Sequence, residues 1–295
     1  MAFFAIVMAM IGARIVYARP GLGGPRWGFL EAWLLWVRAR YADHFPYITG
    51  LVAVQVVAPV LGAWLIVTAI NSLFGLLGHV ITWCASVVVL IWVMGAARYQ
   101  RRLNDLLARI QDDDLPDVLD AFHRKFLSLH KVHRESDLVE ILPGAFVVTV
   151  LRHQFAPIFW FLVFGIPGAL LYLIVRVMGA PTTEAEEAYP LEHGFCHHWL
   201  EWLDWVPARL VAVSVSFAGY VGRSTEYAMV SIRQWGWRAE YLLNETTWAA
   251  LGLDHADSWD VQLIGMRRLP ELYLRVVWVW AIVLALFEIA RAIVG

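Results

Sequence analysis

Residues 152–176 read RHQFAPIFWFLVFGIPGALLYLIVR. The run is apolar over a length that crosses a bilayer. It nevertheless opens on Arg152-His153-Gln154, ends on Tyr172 and Arg176, and holds Pro157, Pro167, Gly165 and Gly168. Each proline removes a backbone donor and frees a carbonyl, which in lipid needs a partner inside the protein. Each glycine lets another backbone come close. A central arginine costs roughly 2.5–3.5 kcal/mol on insertion scales, but near a helix end it reaches the headgroups for much less. Arg152 and Arg176 therefore have two readings: interfacial anchors, or the walls of a polar pocket for an anion.

The composition extends that reading outward. The 295 residues are 60% hydrophobic, above the roughly half of a soluble domain, and the excess lies in blocks. This pattern predicts an all-α, polytopic membrane protein with five or six membrane segments and an extramembrane helical hairpin. Its 16 Trp suit the membrane–water interface, so the lipid bilayer is the first expected partner. The net charge of −2 excludes a general basic surface, and no nucleic-acid signature is present. Cys84 lies in an apolar block and Cys196 in a polar one, so no disulfide framework is expected. The first apolar stretch carries its arginines after it instead of before it, and reads as a retained membrane segment.

Five regions follow along the chain. Residues 1–97 hold the N-terminal membrane segments. Within them FLEAWLLWVRARY (29–41) is amphipathic and suited to the interface plane, with Trp33 and Trp36 in lipid and Arg38 and Arg40 in water. Segments 48–70 and 77–97 are joined by the short NSLFGLL, which predicts an antiparallel pair. Residues 98–142 are charged and helical in period, broken at DDDLP by Asp114 and Pro116, and predict a cytoplasmic helical hairpin. Residues 143–222 form a membrane core that includes the acidic loop 180–198. Residues 223–270 read as an extramembrane helical segment, and 271–295 as the last membrane helix. No internal repeat is seen.

Basic residues sort by loop. Four Arg fall in 18–46, eight Lys+Arg in 98–142 and five Arg in 223–270, against none in 71–76 or 179–205. The positive-inside rule then places the basic segments in the cytoplasm and both termini outside, provided that 2–17 and 206–222 both cross.

Three groups carry possible chemistry. In HGFCHHW (193–199), His193 and His197 stand four apart on one helix face, a spacing for a metal pair or for a structural role. In LDWVPARL (203–210), Asp204 reads as a helix cap, Pro207 as a first-turn proline, and Arg209 as a cation that Asp204 could neutralise. Glu288 and Arg291 are three apart and can pair, while Arg14 and His79 stand alone in apolar segments. No phosphate loop, nucleophile elbow or dinucleotide fingerprint is present.

Three motifs resemble the AmpE/CobD superfamily of bacterial inner-membrane proteins: Ala156-Pro157-x-Phe159-Trp160, Gly165-x-x-Gly168-Ala169-x-x-Tyr172, and Trp205-x-Pro207-Ala208-Arg209-Leu210. The CobD/CbiB branch attaches aminopropanol to a corrinoid with Mg-ATP. Its acidic E-S-x-x-E-N-x-x-D motif is replaced here, with Gly144, Val148, Thr149 and Arg152 at four of its fixed places. The AmpE branch has an arginine where Arg152 stands and an Asp-Trp ahead of P-x-R-L. That resemblance implies a multi-pass inner-membrane modulator linked to cell-wall recycling and β-lactamase induction. It also implies an AmpD-pathway protein as partner and no cofactor. The expected pocket is Arg152, His153, Tyr172, Arg176, Asp204 and Arg209, suited to a small anionic or cell-wall-derived ligand. A corrinoid ligase and a structural scaffold are the alternatives.

Overall fold

The computed structural model describes residues 2–18, 28–41, 47–94, 146–180, 183–219, 226, 229, 236, 238–254, 261, 264–265 and 268–294. The expected hairpin at 98–142, much of 223–270, and the side chains of Arg14, Glu288 and Arg291 lie outside the described residues. All regular structure among the described residues is helical. The elements are α1 (Ala2–Ala18), α2 (Gly28–Tyr41), α3 (Ile48–Met94), α4 (Phe146–Gly179), α5 (Thr183–Ala188), α6 (His193–Ala218), α7 (Ala239–Leu251) and α8 (Leu269–Val294).

Among the described residues two helices, α3 and α4, are long and apolar enough to cross a membrane. Only 17% of the most apolar window of α3 is buried within the protein. Trp64, Leu65 and Ile66 face outward. A soluble core would cover such a helix, so this exposure supports a membrane location.

The chain forms two compact units. The first holds Met1–Arg98 and Ala156–Leu203. Here α1 and α2 pack on α3, through Ala5, Ile6 and Ala9 and through Leu30, Leu34 and Val37. The spacing of the last three puts them on one stripe of α2, as its amphipathic pattern requires.

The turn in α3 comes at Gly75, whose φ of 54° and ψ of −122° suit glycine alone. Thr82 Oγ1 donates to Asn71 Oδ1 at 3.0 Å. Eleven residues of straight helix would rise roughly 16 Å, so the chain must double back between them. Gly78 closes the pair, because its absent Cβ leaves room for the Ile70 backbone. The two legs, 48–74 and 76–94, rise roughly 40 and 28 Å, against a hydrocarbon core of about 30 Å. This is the antiparallel pair expected from NSLFGLL.

The opening stretch turns the same way. Gly165 has φ 67° and ψ −149°, and a Cβ on Gly168 would strike the Trp160 carbonyl, eight residues back. The stretch is therefore a helical hairpin and not one straight crossing. Its second leg, 166–179, rises only roughly 21 Å. Gly75-x-x-Gly78 and Gly165-x-x-Gly168 thus serve one role at two turns. The signal is two glycines three apart, too short to register as a repeat.

Two in-helix prolines have tryptophan partners. Pro59 lacks the N–H that would bond the Gln55 carbonyl, and Trp33 Nε1 points to that oxygen at 3.4 Å. Pro207 likewise frees the Leu203 carbonyl, and Trp160 Nε1 donates to it at 3.1 Å. Trp160→Phe should therefore cost about 1–3 kcal/mol through the abandoned carbonyl. The cost should shrink in a Pro207→Ala background, which restores the backbone donor. Thermal unfolding of the two single variants and the double variant in detergent measures that coupling; strict additivity would refute the pairing.

The second unit holds Tyr99–Phe155 and Asp204–Gly295. Buried Phe146 meets Tyr273 edge-on at 5.3 Å, and the Tyr273 hydroxyl lies 3.2 Å from Thr247 Oγ1. Helix α7 ends on Gly252 at φ 70°, where the Gly252 and Leu253 amides bond Ala249 and Trp248 carbonyls, a glycine-terminated helix end. Gly219 admits Ala250 at close range.

Candidate functional site

Arg152 lies in a π-helical turn, Leu151–Phe155. Such turns recur at functional sites. Pro157 follows directly and cannot bond the carbonyl four residues back, which favours a widened turn there. Arg152 Nε donates to Asp204 Oδ2 at 2.7 Å. Asp204 is fully buried and the Arg152 side chain is 13% exposed.

Asp204 is no helix cap, because α6 begins at His193 and runs unbroken past it. Pro207 is likewise inside the helix and not in its first turn. The capping reading failed because Trp160 satisfies the carbonyl that Pro207 frees, so the helix need not start there. Asp204 pairs with Arg152, 52 residues away.

Arg209 lies on the same helix. Its Nη1 donates to the Trp205 carbonyl at 3.1 Å, and its guanidinium carbon stands 3.7 Å over the Trp205 ring. This cation–π stack holds a charge at low exposure. His153 donates from Nδ1 to the Thr149 carbonyl at 2.9 Å. Arg152, His153, Asp204 and Arg209 all belong to the second unit.

Tyr172 and Arg176 belong to the first unit. Tyr172 is fully buried, and Arg176 Nη2 donates to the Val93 carbonyl at 3.0 Å. Arg176 therefore ties α4 to the end of α3. Phe159 packs edge-on against Trp160 at 5.2 Å.

The histidine pair has a structural use. His193 Nε2 donates to the Ala180 carbonyl at 2.9 Å and His197 Nδ1 to the Gly179 carbonyl at 3.0 Å. The rings stack 5.8 Å apart. They thus cap the last carbonyls of α4, which have no partner within that helix. Among the described residues no group of three or more His, Cys, Asp or Glu is placed to hold a metal ion.

Two clusters escaped sequence reasoning. One is a half-open cleft of about 330 Å³ lined by Gly219, Ala250, Arg268, Glu271 and Arg275 among others. The other surrounds the fully buried Glu192, beside Gln55 and Arg38. Gln55, a lone amide in an apolar run, was a legible signal. Glu192 was not, being one acid among several in its loop.

Burial, together with Glu31 and Glu192, pushes the Tyr189 phenol up from 10.0 to about 12, with Arg38 opposing. The neutral phenol is thus favoured in the folded protein. Its contribution to stability is complete below pH 10.0 and lost as pH rises through about 12. Tyr189→Phe should flatten the decline in unfolding temperature over that window, and an unchanged slope would contradict the assignment.

Helices throughout the described residues, apolar outward faces and buried arginines held by internal partners fit an all-helical membrane protein. The chain belongs to the AmpE family: residues 1–294 match the family described as "Regulatory signalling modulator protein AmpE". It is also 27% identical over 132 residues to a protein of Pyrococcus furiosus described as "Probable cobalamin biosynthesis protein CobD". That match covers 43% of this chain and 45% of the relative, so the chain spans less than half the relative's length. No solved structure matches.

Proposed function

We propose that the protein is a multi-pass modulator in the bacterial inner membrane that couples an anionic, cell-wall-derived ligand to β-lactamase induction. The family match over residues 1–294 carries this reading. Five or six membrane segments, basic loops in the cytoplasm and an AmpD-pathway protein as partner complete it. The proposal requires no cofactor.

The ligand site proposed is Arg152, His153 and Arg209. The Asp204 carboxylate sits on Arg152 at 2.7 Å, in the place that a ligand carboxylate or phosphate would take. Exchange of Asp204 for ligand would release α6 from Arg152, a change that a partner protein can read.

The test is β-lactamase induction in a deletion strain carrying wild type, Arg152→Leu or Arg209→Leu at equal membrane levels. Both variants should lose modulation of induction, and wild-type behaviour from both would sink the ligand site. The likeness to a CobD protein supports a second reading, a corrinoid ligase using Mg-ATP. Rescue of a corrinoid auxotroph would favour it, although the acidic motif of that branch is replaced here. A structural scaffold predicts that induction is unmoved by either variant.

A further inference from the structure

We propose that Glu192 and Gln55 form a proton-binding site in the first unit, placed where helix α2 docks on α3. The Glu192 side chain is fully buried and so is Gln55. Gln55 Nε2 donates to the Leu34 carbonyl of α2 at 3.1 Å and approaches Glu192 Oε1 at 3.4 Å. The Leu34 carbonyl accepts only, so it fixes which end of the amide carries hydrogens. The remaining atoms of the two facing groups, Gln55 Oε1 and Glu192 Oε2, are buried and have no hydrogen-bond partner among the described residues.

Those two orphans define the site. A carboxylic acid and a primary amide can close a ring of two hydrogen bonds, N–H to one acid oxygen and O–H from the other to the amide oxygen. The first half of that ring is in place. A single hydrogen on Glu192 Oε2 supplies the second half and satisfies both orphans at once. Without it, both acceptors stay buried with no partner among the described residues, which folded proteins avoid.

The charged alternative is also built in. Arg38 Nε lies 4.0 Å from Glu192 Oε1, while Arg38 Nη1 donates to the Ala188 carbonyl at 2.9 Å. Loss of the proton to solvent would leave Arg38 of α2 as the cation beside the carboxylate. The neighbours do not compete. Tyr189 and Cys196 are each pushed up to about 12, chiefly by burial. His193 and His197 are committed to carbonyls of α4. Glu31 of α2 adds negative charge nearby.

Infrared spectra of the full-length protein in phosphatidylglycerol-containing vesicles at neutral pH test the site. Wild type should show the C=O band of one buried protonated carboxyl, and Glu192→Gln should lose it. A wild-type spectrum without the band, or a band that Glu192→Gln keeps, would overturn the site in favour of an ionised side chain bridged by water. Should Glu192→Gln fail to fold, Gln55→Met removes the amide partner. The band must then shift, and an unshifted band overturns the pairing. The result is independent of the proposed role in induction.

Discussion

Replacing Gly168 with valine is expected to leave no folded protein in the membrane. The hairpin turned at Gly165 brings the Trp160 carbonyl against the hydrogen that stands where other residues carry Cβ. The Phe164 Cβ lies 2.7 Å from the same point. One obstacle is backbone, so no rotamer change relieves it. Overpacking of ordinary cores costs about 1–3 kcal/mol. A backbone obstruction at a turn should exceed about 3 kcal/mol, a large share of a stability of roughly 5–15 kcal/mol. Gly165→Ala should cost less, about 1–3 kcal/mol, through backbone strain alone. Protein level in the membrane fraction and thermal unfolding in detergent read both effects. A Gly168→Val protein with wild-type stability would mean that the stretch crosses as one helix after all.

Loss of the Asp204 carboxylate should be nearly as severe. Asp204→Ala removes the carboxylate at 2.7 Å from the Arg152 guanidinium, 13% exposed as a side chain, at the π-turn. Breaking a buried pair by removing one partner costs about 3–5 kcal/mol, whereas replacing both by apolar groups is often close to neutral. Asp204→Leu combined with Arg152→Met should therefore recover much of the loss. The same double variant should still lose modulation of β-lactamase induction, since the proposed ligand would find no cation at that place. Recovery of stability without recovery of induction separates the two roles of Arg152. Full stability of Asp204→Ala alone would show that the ion pair contributes little.

The sequence showed these features unevenly. Apolar blocks and the short NSLFGLL link made the α3 hairpin legible, because a brief connection between apolar helices forces them side by side. The same logic failed at 152–176, where no polar link marks the turn and only two glycines signal it. For Asp204, the nearby Arg209 was the one partner legible in the sequence. The structure also pairs it with Arg152, 52 residues away, and sequence proximity has no bearing on that contact. His193 and His197 have a spacing that suits either a metal pair or a structural role. Only the packing puts them at hydrogen-bond distance from the Gly179 and Ala180 carbonyls at the end of α4.

What could be read directly was whatever depends on one segment at a time. Helical class follows from periodicity, membrane character from apolar length, and proline's freed carbonyls from its missing N–H. Which group would answer each freed carbonyl, buried cation or orphan amide could not be read. Those answers come from Trp160 for Leu203, Asp204 for Arg152 and Glu192 for Gln55, all distant along the chain. Hydrogen bonding in a dry interior requires that every polar group find a partner, but the folded packing alone chooses which one.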